Sequence, residues 1–423
     1  MEFTPFLISW NITKRCNLRC SHCYLDASEL TEGKGDLPTS DAKRIIDEIA
    51  SLNPSAMLIF TGGEPLLRND CMELFSYAAS KGFTVVVGTN GTLLSDSNVK
   101  DMIRSGVKGV GVSLDSFGRE YHDKFRGVNG AWEKTIESMD ILKKYSLDFQ
   151  VQITATKENY SEIPDIIEFA HKKGARAANI FFLVCTGRGQ NMTDINPSQY
   201  EETLAYLVKA EKEYEGRMMV RARCAPHFLR IAHKLNPDSQ LLKGATSGCI
   251  AGTGYFRITP EGDVTPCPYM PTKVGNLLPP LSPSGGGQRG RSLKQIWTTS
   301  PVFHALRNPK YEGRCKDCDY NEVCGGCRAR ALAATSNLMG EDPWCEYEPE
   351  NPPLPPLEKG GKGGFSQKKE EILWTNEASE RLGKVPPFLR SMVKKGVERY
   401  AKAKGMKQIT PDIMAELRKR AGR

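Results

Sequence analysis

The sequence lacks the features of a membrane or exported protein. None of its apolar runs reaches the roughly 18 residues that a helix needs to cross a bilayer. The N-terminus, MEFTPFLISWNITKRC, has no charged stretch ahead of an apolar core, so we expect no signal peptide. We also expect no membrane span, and we expect a cytoplasmic location. The 13 cysteines are an odd number and fit poorly with the complete disulfide framework of a secreted protein. They indicate metal or iron–sulfur ligation instead.

Most of the chain also carries little net charge. The formal charge is +8, and residues 366–423 alone contain 15 Lys/Arg against 7 Asp/Glu, so the excess positive charge belongs to the C-terminal tail. Two Pro- and Gly-rich stretches, 279–291 and 351–366, have too few apolar side chains to fold, and we expect an exposed loop and a linker there.

Residues 1–190 alternate between short apolar runs and amphipathic stretches, which predicts strands and helices in turn. The predicted strands are 7–12, 57–60, 84–88, 109–114, 149–155 and 179–184, and the predicted helices are 39–52, 69–81, 96–105, 131–145 and 161–173. Such βαβ units build a parallel sheet. Six units are fewer than the eight of a closed TIM barrel, which leaves a partial barrel or an open sheet, with the chemistry at the carboxyl ends of the strands.

The strongest motif directly follows the first predicted strand. Cys16, Cys20 and Cys23 are separated by three and two residues, so one short loop can place three thiolates on a [4Fe–4S] cluster. Because such a cluster normally takes four cysteines, three leave one iron open to an exogenous chelator. Structural zinc is the alternative, but zinc needs a fourth ligand, and His22 is the close candidate.

This loop resembles the CxxxCxxC signature of the radical SAM superfamily, and Gly62-Gly63-Glu64-Pro65 resembles the GGEP segment of that superfamily. The resemblance implies that Cys16, Cys20 and Cys23 ligate a catalytic cluster whose open iron is chelated by S-adenosylmethionine (SAM). Reductive cleavage of SAM would then give a 5′-deoxyadenosyl radical that takes a hydrogen from the substrate. The residues that the resemblance assigns to SAM are Gly62, Gly63, Glu64 and Pro65 at its amino end, His22 beside the adenine, and Asn90, Ser113 and Arg188 at the ribose or carboxylate.

A second group of cysteines lies in residues 249–350. Cys249 and Cys267 flank Gly262, and two CxxC pairs and Cys345 follow. CxxC pairs are strong metal signals that zinc ribbons share. After the first motif, however, the pattern resembles the SPASM extension of radical SAM enzymes, which carries auxiliary [4Fe–4S] clusters. The resemblance implies one cluster on Cys315, Cys318, Cys324 and Cys345, and another on Cys249, Cys267 and Cys327.

The second of these sets is one cysteine short. The fullest form of the family has a further cysteine soon after the first, and no cysteine lies between Cys249 and Cys267. Three possibilities follow for that cluster: Cys224 supplies the ligand, a non-cysteine group does, or one iron stays open for the substrate. His227 is either an iron ligand or a residue that caps a helix.

The residue pattern of the tail predicts three short helices. The segments around Trp374, Phe388 and Ile409 resemble the C-terminal module of the light-independent protochlorophyllide reductase B subunit. The body resembles the radical SAM enzymes of haem and haem d1 synthesis, the NirJ, AhbC and AhbD group. Together these resemblances imply an anaerobic oxidoreductase or lyase that modifies side chains of a tetrapyrrole. They also imply a partner such as ferredoxin or flavodoxin that supplies electrons.

Two other functions are alternatives to this one. SPASM-bearing enzymes commonly modify ribosomal peptides or partner proteins, but many such maturases carry an N-terminal peptide-binding domain, and only nine residues precede Trp10. A basic three-helix tail also invites a helix-turn-helix interpretation. Charge runs are usually solvated faces, however, and we expect no nucleic-acid partner.

The predicted organisation is α/β. A partial (β/α)6 TIM-like barrel is followed by a SPASM-type auxiliary-cluster domain and a small three-helix module. The predicted boundaries are 1–195 for the barrel, 196–248 for a helical bridge, 249–350 for the auxiliary domain, 351–368 for the linker and 369–423 for the basic module.

Overall fold

The computed structural model describes residues 3–28, 35–192, 195–239, 242, 248–278, 292–348, 373–383, 394, 397–398, 401, 406 and 408–420. The chain divides into two compact units, Met1–Pro353 and Leu354–Arg423. The predicted loop 279–291 and the predicted linker 351–366 lie outside the described residues.

The first unit is built on repeated strand–helix pairs. In chain order they are β1 (Leu7–Asn11), α1 (Thr39–Leu52), β2 (Met57–Thr61), α2 (Cys71–Ser80), β3 (Thr84–Thr89), α3 (Asp96–Arg104), β4 (Val107–Ser113), α4 (Arg119–Arg126), α5 (Ala131–Lys144), β5 (Phe149–Ala155), α6 (Ile163–Lys173), β6 (Ala177–Phe182), α7 (Pro197–Glu213), β7 (Met219–Arg223) and α8 (His227–Leu235). Strands β1 to β6 and helices α1, α2, α3, α5 and α6 match the predicted elements to within a few residues, whereas α4 was not predicted.

The rest of the first unit continues the same sheet. It contains β8 (Tyr255–Ile258), β9 (Asp263–Thr265), β10 (Gly275–Asn276), α9 (Leu293–Thr299), α10 (Pro301–Arg307) and α11 (Arg328–Thr335). The sheet order is β10-β9-β8-β1-β2-β3-β4-β5-β6-β7. Strands β1 to β8 pair in parallel, and β9 and β10 add an antiparallel edge. No described strand pairs β7 with β10, so the barrel is partial.

The two faces of this sheet differ in chemistry. One face presents apolar residues that the helices cover, such as Ile8, Phe60, Val112 and Ile153, all without solvent exposure. The other face carries polar side chains in register, because Ser113 pairs with Gln152, Gln152 with Asn179 and Asn179 with Arg221. Alternation of this kind places the apolar set in the core and leaves the polar set in the barrel interior, hereafter the lumen.

The segment predicted as a helical bridge, 196–248, also contains a strand. Helices α7 and α8 lie there as expected, but β7 between them pairs in parallel with β6 and extends the sheet. The sequence of β7, Met-Val-Arg-Ala-Arg, alternates apolar and charged residues over only five positions, so it lacks the apolar run that marked the other strands.

The second unit is small. Its described elements are β11 (Leu373–Trp374), α12 (Asn376–Gly383), β12 (Gln408–Ile409) and α13 (Pro411–Arg420), and β11 pairs in parallel with β12. Its core consists of Ala378, Val397, Ala401, Ile409 and Ile413. Most of the second of the three helices predicted for the tail, at 386–405, lies outside the described residues. Across both units, no helix in the described part of the chain is long and apolar enough to span a membrane.

Candidate active site

The three-cysteine loop lies at the carboxyl end of β1, where parallel strands place functional loops. The end of α4 holds it in place: Arg19 N donates to Arg126 O at 3.0 Å and Ser21 N donates to Phe125 O at 3.0 Å. Gly127, which ends α4 at φ 74°, packs so closely on this loop that a Cβ would lie 2.7 Å from Arg19 O. Backbone contacts therefore fix the loop against the end of α4.

Each of the three sulfurs faces an N–H donor. Leu18 N lies 3.4 Å from Cys16 Sγ, Ala27 N lies 3.4 Å from Cys23 Sγ, and Arg126 Nη1 lies 3.6 Å from Cys20 Sγ. Burial raises the pKa of Cys16 to about 12, so an unligated thiol stays protonated there. Donors aimed at buried sulfurs suit thiolates bound to iron, whose charge they stabilise. The loop therefore fits the cluster that the sequence predicts.

Arg126 is a site residue that the sequence analysis missed. It forms a buried ion pair with Asp115, with Nε donating to Oδ2 at 2.6 Å, in addition to its contact with Cys20. Burial opposes ionisation of Asp115, but Arg126, the two nearby histidines and the Thr154 N–H together hold the pKa of that carboxyl below its usual value. No sequence motif marks this pair, because its members come from the end of β4 and from α4.

The Gly62–Pro65 segment packs directly on the cysteine loop. A Cβ on Gly62, whose φ is 146°, would lie 2.4 Å from Thr13 O, and a Cβ on Gly63 would lie 2.2 Å from Arg15 O. The amides of Gly63 and Glu64 donate to those same two oxygens. Two glycines are therefore required for β2 to bring this segment beside the cysteines.

The Glu64 carboxylate is fully buried and joins two strand ends. It accepts hydrogen bonds from Leu66 N, Thr89 Oγ1 and Asn90 N, at 2.9 to 3.2 Å. Burial raises the pKa of Glu64 to about 7, although the three donors favour its ionised form. The Asn90 side chain in turn donates to Asn17 Oδ1 at 2.9 Å. The ends of β2 and β3 are thus tied to the cysteine loop.

The other residues predicted to contact SAM take different positions around this loop. The His22 ring stacks on Phe125 with centroids 4.3 Å apart, and its buried Nδ1 has no hydrogen-bond partner among the described residues. Arg188 donates to Cys20 O at 2.9 Å, to Ala27 O at 2.8 Å and to the Asp26 carboxylate. Ser113 ends β4 in the polar row of the lumen.

The lumen carries arginines without acidic partners. Arg223 donates through Nε to Asn179 at 2.9 Å, and Arg257 donates to Pro268 O at 2.8 Å and lies over the Tyr24 ring. Neither forms an ion pair with any described carboxylate. The Nε of Arg257, a residue only 9% exposed, is buried without a hydrogen-bond partner among the described residues. These groups are available to an anionic ligand.

The auxiliary cysteines fall into two spatial groups. Burial raises the pKa of Cys324, and the nearby thiols of Cys345 and Cys315 raise it further. Burial and the Cys315 thiol likewise raise the pKa of Cys318. Burial likewise raises the pKa of Cys267, and the second group of thiols, Cys327, Cys249 and Cys224, raises it further. The thiols named here lie within electrostatic range of others of their own predicted set, and Cys224 lies within range of the second set.

The spacing of these thiols bears on the zinc alternative. All thirteen cysteines are among the described residues and none forms a disulfide. No three His, Cys, Asp or Glu side chains in the described part of the chain converge closely enough to hold a single metal ion. A zinc site needs four ligands on one ion, whereas a four-iron cluster spreads its thiolates over the corners of a cube. The described side chains therefore include no preformed site for a single zinc ion.

Comparison with family models agrees with this geometry. Residues 10–170 match the radical SAM superfamily, and residues 249–319 match an iron-sulfur cluster-binding domain, SPASM. Residues 374–418 match the proto-chlorophyllide reductase 57 kD subunit.

Individual relatives cover most of the chain. The AdoMet-dependent heme synthase of Methanosarcina barkeri is 38% identical over 358 residues, which are 82% of this chain and 98% of that protein. The pre-heme d1 synthase of Dinoroseobacter shibae is 30% identical, covering 80% of this chain and 85% of that one. Streptococcus suis SuiB, solved with S-adenosylmethionine, shares the fold with a TM-score of 0.63 at 17% identity, over 81% of this chain and 78% of its own. The chain therefore belongs to the radical SAM superfamily, and it is an enzyme whose cofactors are iron–sulfur clusters and S-adenosylmethionine.

Proposed function

We propose that this enzyme modifies carboxylate-bearing side chains of a tetrapyrrole in a haem-type biosynthetic reaction. The observation that carries the proposal is the 38% identity to a heme synthase over 98% of that relative's length. The lumen adds physical support, since two of its arginines, Arg223 and Arg257, form no ion pair with a described carboxylate, whereas Arg221 pairs with Glu211. Guanidinium groups bind carboxylates in a two-point geometry, which suits the acetate and propionate groups of a tetrapyrrole.

In this proposal each predicted site residue has a role. Cys16, Cys20 and Cys23 hold the catalytic cluster, which when bound supplies the electron that cleaves SAM to a 5′-deoxyadenosyl radical. The carbonyls of Gly62 and Gly63 face the amino end of SAM. Among the described residues, neither carbonyl accepts a backbone hydrogen bond beyond those within helices and strands. His22 lies beside the adenine, Asn90, Ser113 and Arg188 position the rest of SAM, and Glu64 and Pro65 shape the segment.

The auxiliary cysteines hold the remaining clusters. Cys315, Cys318, Cys324 and Cys345 hold one cluster, and Cys249, Cys267 and Cys327 belong to the other. We further propose a cytoplasmic location, supported by thirteen cysteines of which none is oxidised to a disulfide. The electron donor in that compartment is a small redox protein such as a ferredoxin or flavodoxin.

The test uses the full chain, reconstituted with iron and sulfide without oxygen. An iron porphyrin with propionate side chains is added, followed by SAM and a reductant. We expect a shift of the Soret band on binding, formation of 5′-deoxyadenosine, and a mass change in the porphyrin. No Soret shift, together with tight binding of a short peptide, would instead favour a peptide-modifying enzyme.

Arg257→Gln tests the role of the lumen in substrate binding. The variant removes one guanidinium from the polar face, and we expect weaker porphyrin binding, by about tenfold for one lost charged contact. Arg104→Gln is the matched control, because Arg104 is exposed on α3 and pairs with Asp101. If the Arg257→Gln variant and the wild type bind the porphyrin with equal affinity, Arg257 does not take part in substrate binding. Cleavage of SAM without porphyrin should be unchanged in both variants.

A further inference from the structure

Cys224 directly follows β7, at the carboxyl end of the barrel. Burial raises the pKa of this thiol, and the nearby Cys327 and Cys249 thiols raise it further. Cys267 stands in the same relation to Cys327, Cys249 and Cys224. Four thiols from distant parts of the sequence are therefore within electrostatic range of one another.

The backbones of Cys224 and Cys327 are tied to one buried ion pair. Arg330 Nη2 donates to Cys224 O at 3.0 Å, and Arg330 Nη1 donates to Asp342 Oδ2 at 2.8 Å. The same carboxylate oxygen accepts from Cys327 N at 2.8 Å. Arg330 is 4% exposed and Asp342 is fully buried, so this connection is rigid.

The backbone before Cys249 closes on the same region. A Cβ on Gly248 would lie 2.6 Å from Pro226 Cβ and 2.3 Å from Cys324 O, so these segments are in direct contact. Cys224 itself has φ 57°, a left-handed conformation that residues with a Cβ seldom adopt. The contacts on both sides hold the residue in this conformation and fix the direction of its side chain.

We propose that Cys224 is the fourth ligand of the auxiliary cluster held by Cys249, Cys267 and Cys327. The inference rests on the proposed assignment of those three cysteines. On binding iron, the Cys224 thiol releases its proton and ligates as a thiolate. All four irons of this cluster then have protein ligands, so none is open to the substrate, and the cluster acts in electron transfer. The barrel thereby supplies a ligand to the auxiliary domain.

The variant Cys224→Gly tests this role with little risk to the fold, because glycine adopts φ 57° without strain. Cys71→Ala is the matched control, since Cys71 is a buried cysteine at the start of α2. Full-length proteins are reconstituted without oxygen, iron is counted, and electron paramagnetic resonance (EPR) spectra are recorded with SAM present, so that the open iron of the catalytic cluster is covered. Circular dichroism verifies that each variant is folded.

The wild type and Cys71→Ala should bind about twelve irons, for three [4Fe–4S] clusters. Cys224→Gly should lose iron and show the signal of a three-iron cluster after oxidation. If the fourth iron is retained, it should bind added ¹³C-cyanide, giving a hyperfine coupling that the wild type lacks.

The proposal is overturned if Cys224→Gly matches the wild type in iron content, EPR spectrum and cyanide response. It is also overturned if cyanide couples to an auxiliary cluster of the SAM-bound wild type, or if the wild type binds only about eight irons, for two clusters. None of these results bears on the substrate, because the Soret shift of an added porphyrin tests the tetrapyrrole proposal separately.

Discussion

Arg126 shows how a single buried side chain supports both the fold and the cysteine loop. It pairs with Asp115 and donates to Cys20 Sγ. Arg126→Gln leaves the Asp115 carboxylate buried without its partner, which should lower the free energy of unfolding by about 3 to 5 kcal/mol. Urea denaturation followed by circular dichroism measures this loss.

Two further variants make that prediction specific. Adding Asp115→Asn to Arg126→Gln removes the stranded charge, so the double variant should recover part of the lost stability. Arg104→Gln removes an exposed ion pair with Asp101 and should cost less than about 1 kcal/mol. A similar cost for Arg126→Gln and Arg104→Gln would contradict a supporting role for the buried pair.

His122 gives the same region a dependence on pH. Its Nδ1 accepts a hydrogen bond from Asp115 N at 3.3 Å, and the residue is 1% exposed. Burial lowers the pKa of His122 to about 4, and Arg126 lowers it as well, against the attraction of Asp115 and Asp123. The unfolded chain therefore binds more protons than the folded protein between about pH 6.5 and pH 4, and stability falls as the pH falls through that range.

For His122 alone, this loss amounts to about 3 kcal/mol between pH 7 and pH 4. His122→Asn keeps an acceptor near the Nδ1 position but does not titrate, so its stability should vary less with pH by that amount. His304→Gln, at an exposed histidine, is the control. Parallel pH profiles for the wild type and His122→Asn would refute the assignment.

At the residue scale, sequence motifs predicted groups that are close along the chain. The local spacing of Cys16, Cys20 and Cys23 places them in one loop, where the three thiols lie within electrostatic range of one another. Arg126, Asp115 and Cys224 carry no such spacing, because their partners come from other strands and helices. Only the tertiary fold brings them to the site.

At the scale of elements, the joint between β2 and the cysteine loop depends on close backbone contact. Gly62→Ala introduces a Cβ 2.4 Å from Thr13 O at φ 146°, so the Gly62–Pro65 segment must move away from the loop. We expect SAM binding, measured by equilibrium dialysis, to weaken by at least about tenfold, because the carbonyls proposed to face SAM are displaced. The catalytic cysteines themselves are unchanged in this variant.

Gly216→Ala separates backbone strain from packing. Gly216 has φ 76°, but no atom lies within 4 Å of the position that a Cβ would take there, so alanine incurs only the conformational cost, about 1 kcal/mol. The melting temperature of this variant should fall slightly while SAM binding stays at the wild-type level. Equal loss of SAM binding in both variants would show that the contact with Thr13 is not the cause.

The elements also show where pattern recognition works. Strands β1 to β6 are buried on the helix-facing side and carry apolar runs, so the sequence predicted each of them. Strand β7 lines the lumen with Arg221 and Arg223, and those charges interrupt the apolar signal. The arginines that make the lumen suitable for an anionic ligand are therefore also the reason that the apolar pattern did not predict this strand.

At the scale of the whole molecule, the residues proposed to hold the clusters and SAM lie within the first unit. All thirteen cysteines and every predicted SAM contact precede Pro353, where that unit ends. A chain truncated after Pro353 should therefore keep the wild-type iron content and the SAM cleavage activity. Loss of iron from the truncated chain would show that the tail is needed for cluster stability.

The second unit has a different expected role. Its core is small, and residues 366–423 carry 15 Lys/Arg against 7 Asp/Glu. Because a porphyrin with propionate groups is anionic, we expect the truncated chain to bind it more weakly at low salt than the full chain does. Added salt screens exposed charges, so this difference should shrink at about 1 M ionic strength, where the Debye length is about 3 Å. A difference that persists at high salt would indicate apolar contact between tail and porphyrin, and equal affinity at low salt would exclude the tail from substrate binding.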